Sequence, residues 1–457
     1  MSQSFNDVTT DNFAQLSSKI VAILAESTFI AIDTEFTGLG EKHDNVRAPN
    51  IEERYQNMAK VVRSHALSAV GLTAFKRTHS DGSSSAWRVD NFNILLSLQA
   101  SHTVSHQSLR FLADSGFDFN KQIRKGLPYT GGADAKASPD TVRYLFRQVL
   151  YEVNRLKIPI VIHNGLMDLM YLYFSMFTDL PANLPIFTAD LSDMFPGGII
   201  DTKYISDYVS KEPVSFLSYL YKKYEREQKR RKAIKENEDS SSKEKFVRRY
   251  FTLDVQPPIP IDTLNMNELK RTLKFTSAED EVNRSAKTKK RRRRNQRVVT
   301  REEKPYCEQY ALHGYCKQNK KCGKSHDLDF ILDEVEKNAG KKTHSHKIDI
   351  DDSAEVAVTP PDGSDEIIMP APPPVPEPAY YHSAHFDSFM TGFVFAHQLQ
   401  EFRDYNAHSN KLYLMGKDIP LPIQKSAFSK LSKGWIELKA EIEKTYINTS
   451  TSNSFNS

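Results

Sequence analysis

Three groups of residues in this chain have the types and spacing to do chemistry. The first lies in "FIAIDTEFTGL", residues 29–39. Phe29 to Ile32 read as a buried strand, and then Asp33 and Glu35 place two carboxylates one residue apart. Side chains i and i+2 share a face of a strand, so both acids lie on the same side, about 7 Å apart. On a mostly apolar strand they repel each other and lose hydration. Either the strand runs out into solvent there, or a divalent cation sits between the acids. "HNGLMDLMYLYF" places Asp168 in the first turn of a helix whose apolar stripe is Leu166, Leu169, Met170 and Tyr173. An acid there either caps the helix dipole or serves as a ligand. "YYHSAHFDSFMTGFVFAHQL" adds Asp387 ahead of a helical pattern of Phe389, Met390, Phe393 and Val394. His382 precedes Asp387 by five positions, a different face of a continuous helix, which puts it on the loop entering that helix. From there its imidazole can reach a water at a metal site. A two-metal centre needs about four such acids, drawn from separate elements, to hold cations ~3.5–4 Å apart.

The second group holds every cysteine of the protein. Cys307, Cys316, Cys322 and His326 follow the spacing C-x8-C-x5-C-x3-H. Three thiolates and an imidazole form a closed tetrahedral set for Zn2+. A segment this short has no core of its own, so the metal supplies its folding energy. The pattern resembles the CCCH zinc-finger family, whose members bind single-stranded RNA. Tyr310 and Tyr315 fit base stacking, and Lys317, Lys320, Lys321 and Lys324 fit phosphate contacts. His313 is off the ligand spacing and reads as solvent-exposed. The third group is the run "KTKKRRRRNQR", residues 287–297. It reads as a nuclear localisation signal, a nucleic-acid contact, or both.

These groups need a scaffold. The 457 residues are enough for one large domain with additions, or for two to three domains. At 39% hydrophobic and 11% aromatic residues the chain can build a substantial core. Three cysteines argue against a disulfide framework and for a reducing compartment. No apolar run reaches the roughly 18 residues of a membrane span, and the polar N-terminus does not read as a secretory signal. A helical pattern over 12–25 leads into the first strand, and a polar segment follows over 40–60. "SAVGLTAFKR" and "AWRVDNFNILL", joined by "THSDGSSS", read as a hairpin beside that strand. Helical patterns fill much of 105–125 and 139–157. "IPIVIHNGLMDLMYLYFSMF" reads as a strand, a break at His163-Asn164 with Asn164 as N-cap, and an amphipathic helix. The net charge of +4 hides a segregation into this basic run and the acidic, proline-rich "DIDDSAEVAVTPPDGSDEIIMPAPPPVPEPA".

D-x-E on a strand, Asp at a helix start and then H-x4-D resembles the DEDD-type 3′ exonucleases in their histidine variant. "FNKQIRKGLPY", "MFPGGIIDTKYIS" and "HFDSFMTGF" are similar to the PARN-like poly(A)-specific deadenylases, nearest to nuclear members that carry a CCCH finger. The resemblance implies a ribonuclease-H-like α/β fold with a mixed central sheet, interrupted by the inserted finger. The corresponding division is 12–275 and 378–445 for the nuclease, 276–300 for a basic linker, 301–332 for the finger and 333–377 for an acidic linker. It implies two Mg2+ ions, with Asp33 bridging both, Glu35 and Asp387 completing one site, Asp168 holding the other and His382 acting as general base. It implies one structural Zn2+, and hydrolysis from the 3′ end of single-stranded RNA, poly(A) and small nuclear RNA among them, in the nucleus. No membrane partner is expected, and homo-oligomerisation stays open. Asp201 in "DTKY" reads equally as a structural hydrogen bonder or a substrate-side group. Position 385 is glycine in the family motif and histidine here, either a surface residue or one that crowds the site. A non-catalytic RNA-binding adaptor and a DNA 3′ exonuclease are the competing readings. The complete set of five residues argues against the first, and the finger with the deadenylase-like segments against the second.

The basic run is directly testable. Replacing Arg291 to Arg294 by alanine is expected to impair nuclear import. It should also lower the salt slope of RNA binding by ~0.7 per lost phosphate contact on single strands. Localisation imaging and binding titrations at several salt concentrations check the two roles separately.

Overall fold

The computed structural model describes residues 4–81, 84–132, 137–237, 249–261, 304–318, 321–341, 383–402 and 404–453. The basic run, Lys320, His382 and most of the acidic linker lie outside the described residues.

The chain begins with β1 (Asn6–Val8), α1 (Phe13–Ala25) and β2 (Phe29–Phe36), followed by α2 (Ile51–Ser64) and the long hairpin of β3 (Leu67–Ser80) and β4 (Ser84–Leu98). After α3 (His106–Asp114), α4 (Phe119–Lys125) and β5 (Leu127–Tyr129) come α5 (Val142–Leu156), β6 (Ile160–Ile162), α6 (Leu166–Leu172), α7 (Leu184–Met194) and β7 (Ile199–Asp201). A single turn α8 (Thr202–Tyr204), the helix α9 (Leu217–Asn237) and β8 (Tyr250–Val255) precede the cysteine segment. That segment contains α10 (Glu308–His313) and α11 (Leu328–Lys341). The chain ends with α12 (Ala384–Glu401), β9 (Lys411–Leu412), β10 (Leu421–Pro422) and α13 (Lys433–Asn453).

Among the described residues, all ten strands join one mixed sheet in the order β1-β4-β3-β2-β6-β7-β9-β10, with β5 and β8 also on β4. β2 is antiparallel to β3 and parallel to β6. The outer side of β4 is covered end to end: β8 pairs with Ser84–Val89, β1 with Phe92–Ile94 and β5 with Leu96–Leu98. Three short strands thus protect an edge that would otherwise present unpaired backbone groups.

Both faces of this sheet are buried, and the alternation along each strand decides which residue serves which face. Ile30 and Ile32 of β2 join Val70 and Leu72 of β3 in the larger core, under α1, α5, α7 and α13. Phe29 and Ala31 join Phe75, Trp87 and Val89 in the second core, under α9 and α12. Asp33 and Glu35 continue the odd-numbered series, so they project on the side where α12 lies.

Several local readings change. Asn164 is not an N-cap: it adopts a left-handed conformation (φ 58°), and Gly165 occupies the cap position without a side-chain bond. The segment 40–60 is more than a polar loop. Asn50 accepts from the Glu52 and Glu53 amides and starts α2, whose Tyr55, Met58 and Val62 enter the core. α11 runs past 332 to Lys341, inside the stretch read as acidic linker. α13 likewise extends past 445.

The approach of α12 to the sheet depends on Gly71 of β3, the residue paired with Asp33. A Cβ built there would lie 1.9 Å from the Ala384 carbonyl oxygen, a clash with backbone at the first residue of α12. Two residues on, the Thr73 and Ser388 hydroxyls share a 2.7 Å hydrogen bond across the same interface. Gly71→Ala is expected to force α12 off the sheet. Overpacking of this kind costs about 1–3 kcal/mol, which lowers the thermal midpoint by several degrees. Calorimetry of the variant beside Ala69→Gly, a change that adds no bulk on the same strand, measures it.

Candidate active site

Asp33 and Glu35 sit toward the C-terminal end of β2, and Asp387 sits in the first turn of α12. Each offers a carboxylate oxygen, and these oxygens lie within 4.8 Å of one another. The strand therefore does not simply run out into solvent: Glu35 is buried, and the third acid is brought against the pair by a helix. Asp168 stands beside this set rather than in it. It lies in the first turn of α6, which leaves the end of β6, the neighbour of β2. Its Oδ1 accepts a 2.5 Å hydrogen bond from the Thr34 hydroxyl. Thr34 points to the opposite face of β2 from its two acidic neighbours, so one tripeptide addresses three carboxylates by alternation alone.

The site is electrostatically strained as a set of ions. Burial, and then the charges of Asp387, Asp168 and Glu35, hold the Asp33 carboxyl well above the usual range. Burial followed by Asp387 and Asp168 does the same to Glu35. Burial pushes Asp168 up to about 6, with the Thr34 hydroxyl pulling the other way. Three clustered acids with a fourth beside them, the negative forms of Asp33, Glu35 and Asp168 being disfavoured, are the donor chemistry of hard divalent cations such as Mg2+ and Mn2+, which take oxygen ligands. The oxygens of Asp33, Glu35 and Asp387 fit one such ion, and Asp168 lies near enough for its charge to act on both Asp33 and Glu35.

Other residues take clear places. Asp201 is fully buried and accepts backbone N–H bonds from Asn164, Lys203 and Tyr413 at 2.9, 2.9 and 2.8 Å. It is a structural hydrogen bonder that ties the loop before α6 to the chain after β9. His163, half-buried beside it, has a pKa lowered by desolvation to about 3 and pairs with the Thr202 hydroxyl. His385 is neither a surface residue nor a residue crowding the acids. It is buried, its ring stacks on Phe5 at 3.8 Å between centroids, and burial lowers its pKa to about 4. Two residues along a helix rotate a side chain by about 200°, which turns His385 away from Asp387. Gly71 and the Thr73–Ser388 pair escaped the sequence reading. The signal for Gly71 was a lone glycine inside the strand pattern "SAVGLTAF", a mark of close backbone approach.

The cysteine set also converges: one ligand atom from each of Cys307, Cys316, Cys322 and His326 lies within 4.8 Å of the others. The Tyr310 amide donates to Cys307 Sγ at 3.4 Å, and His326 Nε2 is buried with no hydrogen-bond partner. These donors fit Zn2+. Tyr310 is not a free stacking platform, since its ring lies against His326 (4.5 Å, 11°) and meets the edge of Phe216. Tyr315 is exposed, as are Lys317, Lys321, Lys324 and His313.

A linkage prediction follows from the acids. Their folded pKa values are raised above the unfolded values near 4, so the protonated forms favour the fold. In chelator this contribution is present below about pH 4 and is lost as pH rises, through about 6 for Asp168 and through the raised pKa values of Asp33 and Glu35. The thermal midpoint of metal-free Asp33→Asn should therefore exceed that of the parent protein by about 2 °C or more at pH 7.5, with the gap closing toward pH 4.5. Scanning calorimetry across that range, with Mn2+ added back at pH 7.5 to stabilise the parent alone, checks both sign and window.

A family model described as "CAF1 family ribonuclease" matches residues 8–145 and 140–395. Human poly(A)-specific ribonuclease PARN is 31% identical over 135 residues, 27% of this chain and 21% of that protein. The pre-piRNA 3′-exonuclease trimmer of Bombyx mori is 29% identical over 136 residues, 28% and 25% of the two chains. The matched region thus spans about a fifth to a quarter of these relatives' length. Among solved structures, S. pombe Pop2p in its Mg2+- and Mn2+-bound form aligns over 49% of this chain and 82% of that one, at 19% identity and a TM-score of 0.38. The family match runs from the end of β1 into α12, over β2 to β8 and the acids Asp33, Glu35, Asp168 and Asp387, and on that ground the chain belongs to the CAF1 family of ribonucleases, with PARN-like deadenylases among its relatives.

Proposed function

We propose that this chain is a magnesium-dependent 3′-to-5′ exoribonuclease that removes adenosine-rich tails and releases 5′ nucleoside monophosphates. The observation that carries the reading is the convergence of Asp33, Glu35 and Asp387 within 4.8 Å, with Asp168 beside them. Divalent cations held there would supply Lewis acidity toward the scissile phosphate and a nucleophilic water near neutral pH. The chain's own part is positional. Thr34 fixes Asp168, Gly71 admits α12, and the Thr73–Ser388 bond sets the depth at which Asp387 enters. His382 is assigned as general base on the attacking water. The exposed Tyr315, Lys317, Lys321 and Lys324 of the finger are assigned to a single-stranded RNA substrate, through stacking and phosphate contacts. A nuclear location and small nuclear RNA 3′ ends complete the proposal, supported by the basic run and the finger.

Asp33→Asn and Asp387→Asn should each lower the trimming rate by on the order of a hundredfold or more, with far-UV circular dichroism unchanged. The assay is gel analysis of the purified chain on oligo(A)-tailed RNA, other RNA tails and DNA, with Mg2+ or EDTA. Activity in EDTA, or variants at near-parent rates, would refute the metal assignment. Equal trimming of DNA would replace RNA with the broader substrate class.

A further inference from the structure

α9 has two working faces. On one, Tyr221 meets Phe386, Phe389 and Phe393 of α12 edge-on, with centroids 5.9, 6.1 and 5.0 Å apart. Further along that face Tyr224 stacks on His397 at 3.9 Å, and Gln228 bonds to His397 Nδ1 at 2.8 Å. On the other face, Tyr219 enters the small core of the finger beside Tyr306, Ala311, Ile331 and Leu332. Lys222, Arg226 and Arg230, spaced four apart and so aligned in one stripe, meet the acids of α11. Lys222 Nζ and Arg226 Nη2 each lie 3.0 Å from Asp329, Arg226 Nη1 lies 2.6 Å from Asp333, and Arg230 Nη2 lies 3.2 Å from Glu336.

The finger is therefore docked on the nuclease, and its apolar cluster includes Val214 and Tyr219 from outside its own segment. The helix it docks on is the helix that backs α12. Phe386 and Phe389 flank Asp387 in sequence, so the rings that Tyr221 supports belong to the turn that carries this acid. α12 must be pressed inward against a repulsive cluster of carboxylates, and it is the element whose support matters most there.

We propose that the zinc-bound finger is a positioning element for the carboxylate centre: through Arg226 and α9 it holds α12, and so Asp387, against Asp33 and Glu35. Zinc loss then loosens divalent-cation binding at a site the finger's ligands do not touch. In this scheme Arg226 is a positioning residue, touching neither metal set. The inference rests on the reading of Asp33, Glu35 and Asp387 as a cation site.

The test uses the full chain, with Mn2+ as the probe and three variants: Cys322→Ser, which removes a zinc ligand, Arg226→Glu, which opposes the acids of α11, and Arg226→Glu with Asp333→Lys, which restores an opposite-sign pair at position 333 and so is read for partial recovery. Zinc content is measured by metal analysis, Mn2+ affinity by calorimetric titration, and backbone protection by hydrogen exchange of residues 384–401 and, for reference, 142–156. The expected result is Mn2+ affinity weakened on the order of tenfold in the first two variants, faster exchange in 384–401 with 142–156 unchanged, and partial recovery in the double variant. Cys322→Ser protein that has lost zinc yet keeps parental Mn2+ affinity and exchange would overturn the proposal. Faster exchange in both segments would overturn it too, since that is general unfolding. A parent protein with no Mn2+ binding sensitive to Asp387→Asn would instead overturn the reading of the carboxylates, and the exchange comparison would still decide the coupling.

Discussion

Clustered, partly buried carboxylates that repel one another are the constraint around which the rest of this structure is arranged. Asp33, Glu35 and Asp387 bring their oxygens within 4.8 Å, and Asp168 adds its field from the side. Left to themselves such groups separate or protonate. They stay together because the elements that carry them are clamped by apolar packing. β2 is central in the sheet, with cores on both faces, and α12 is wedged between the sheet and α9. The strain is thus held by burial of Phe29, Phe75, Phe389, Phe393 and their neighbours. A bound cation would convert the same arrangement from repulsive to attractive.

The wedge needs room as well as pressure. A helix and a sheet normally keep a layer of side chains between their backbones, yet the start of α12 lies on the backbone of β3. Gly71 removes the side chain that would keep them apart, and Gly392 does the same farther along α12, where a Cβ would meet the Phe75 ring at 2.1 Å. The hydrogen bond between Thr73 and Ser388 then fixes depth with polar groups that are satisfied inside the interface. Small and hydroxylic residues, which read as indifferent in sequence, set where the acid ends up.

The chain's route gives the cysteine segment a second meaning. It lies between β8 and α12 in sequence, and it is seated on α9 in space. A finger tied only by flexible tethers would search for RNA independently of the nuclease. One docked by a stripe of three cations against Asp329, Asp333 and Glu336 presents Tyr315 and its lysines in a fixed orientation relative to the sheet. Exposed pairs of this kind contribute little one at a time, so the apolar cluster around Tyr219 and Ile331 carries the docking and the charges set its register.

The residues of both side-chain clusters were legible in the sequence, for a local reason. Strand alternation forces Asp33 and Glu35 to one face whatever surrounds them, and the C-x8-C-x5-C-x3-H spacing lets four soft ligands close on one point within a single short segment. Asp168 and Asp387 at helix starts, and the hairpin beside β2, are local patterns of the same kind. What brings Asp387 to Asp33 is not local: it depends on the missing side chain of Gly71 and on aromatic packing between α9 and α12, elements far apart in the chain. Asp201 was ambiguous for the same reason, since its donors come from Asn164, Lys203 and Tyr413, which only the folded sheet assembles. His385, polar by type, is buried because β1 passes close enough for Phe5 to stack on it. Tyr310 left the RNA-facing set once its ring found His326. Periodicity specifies which face a residue presents, but shape and long-range packing decide what that face meets.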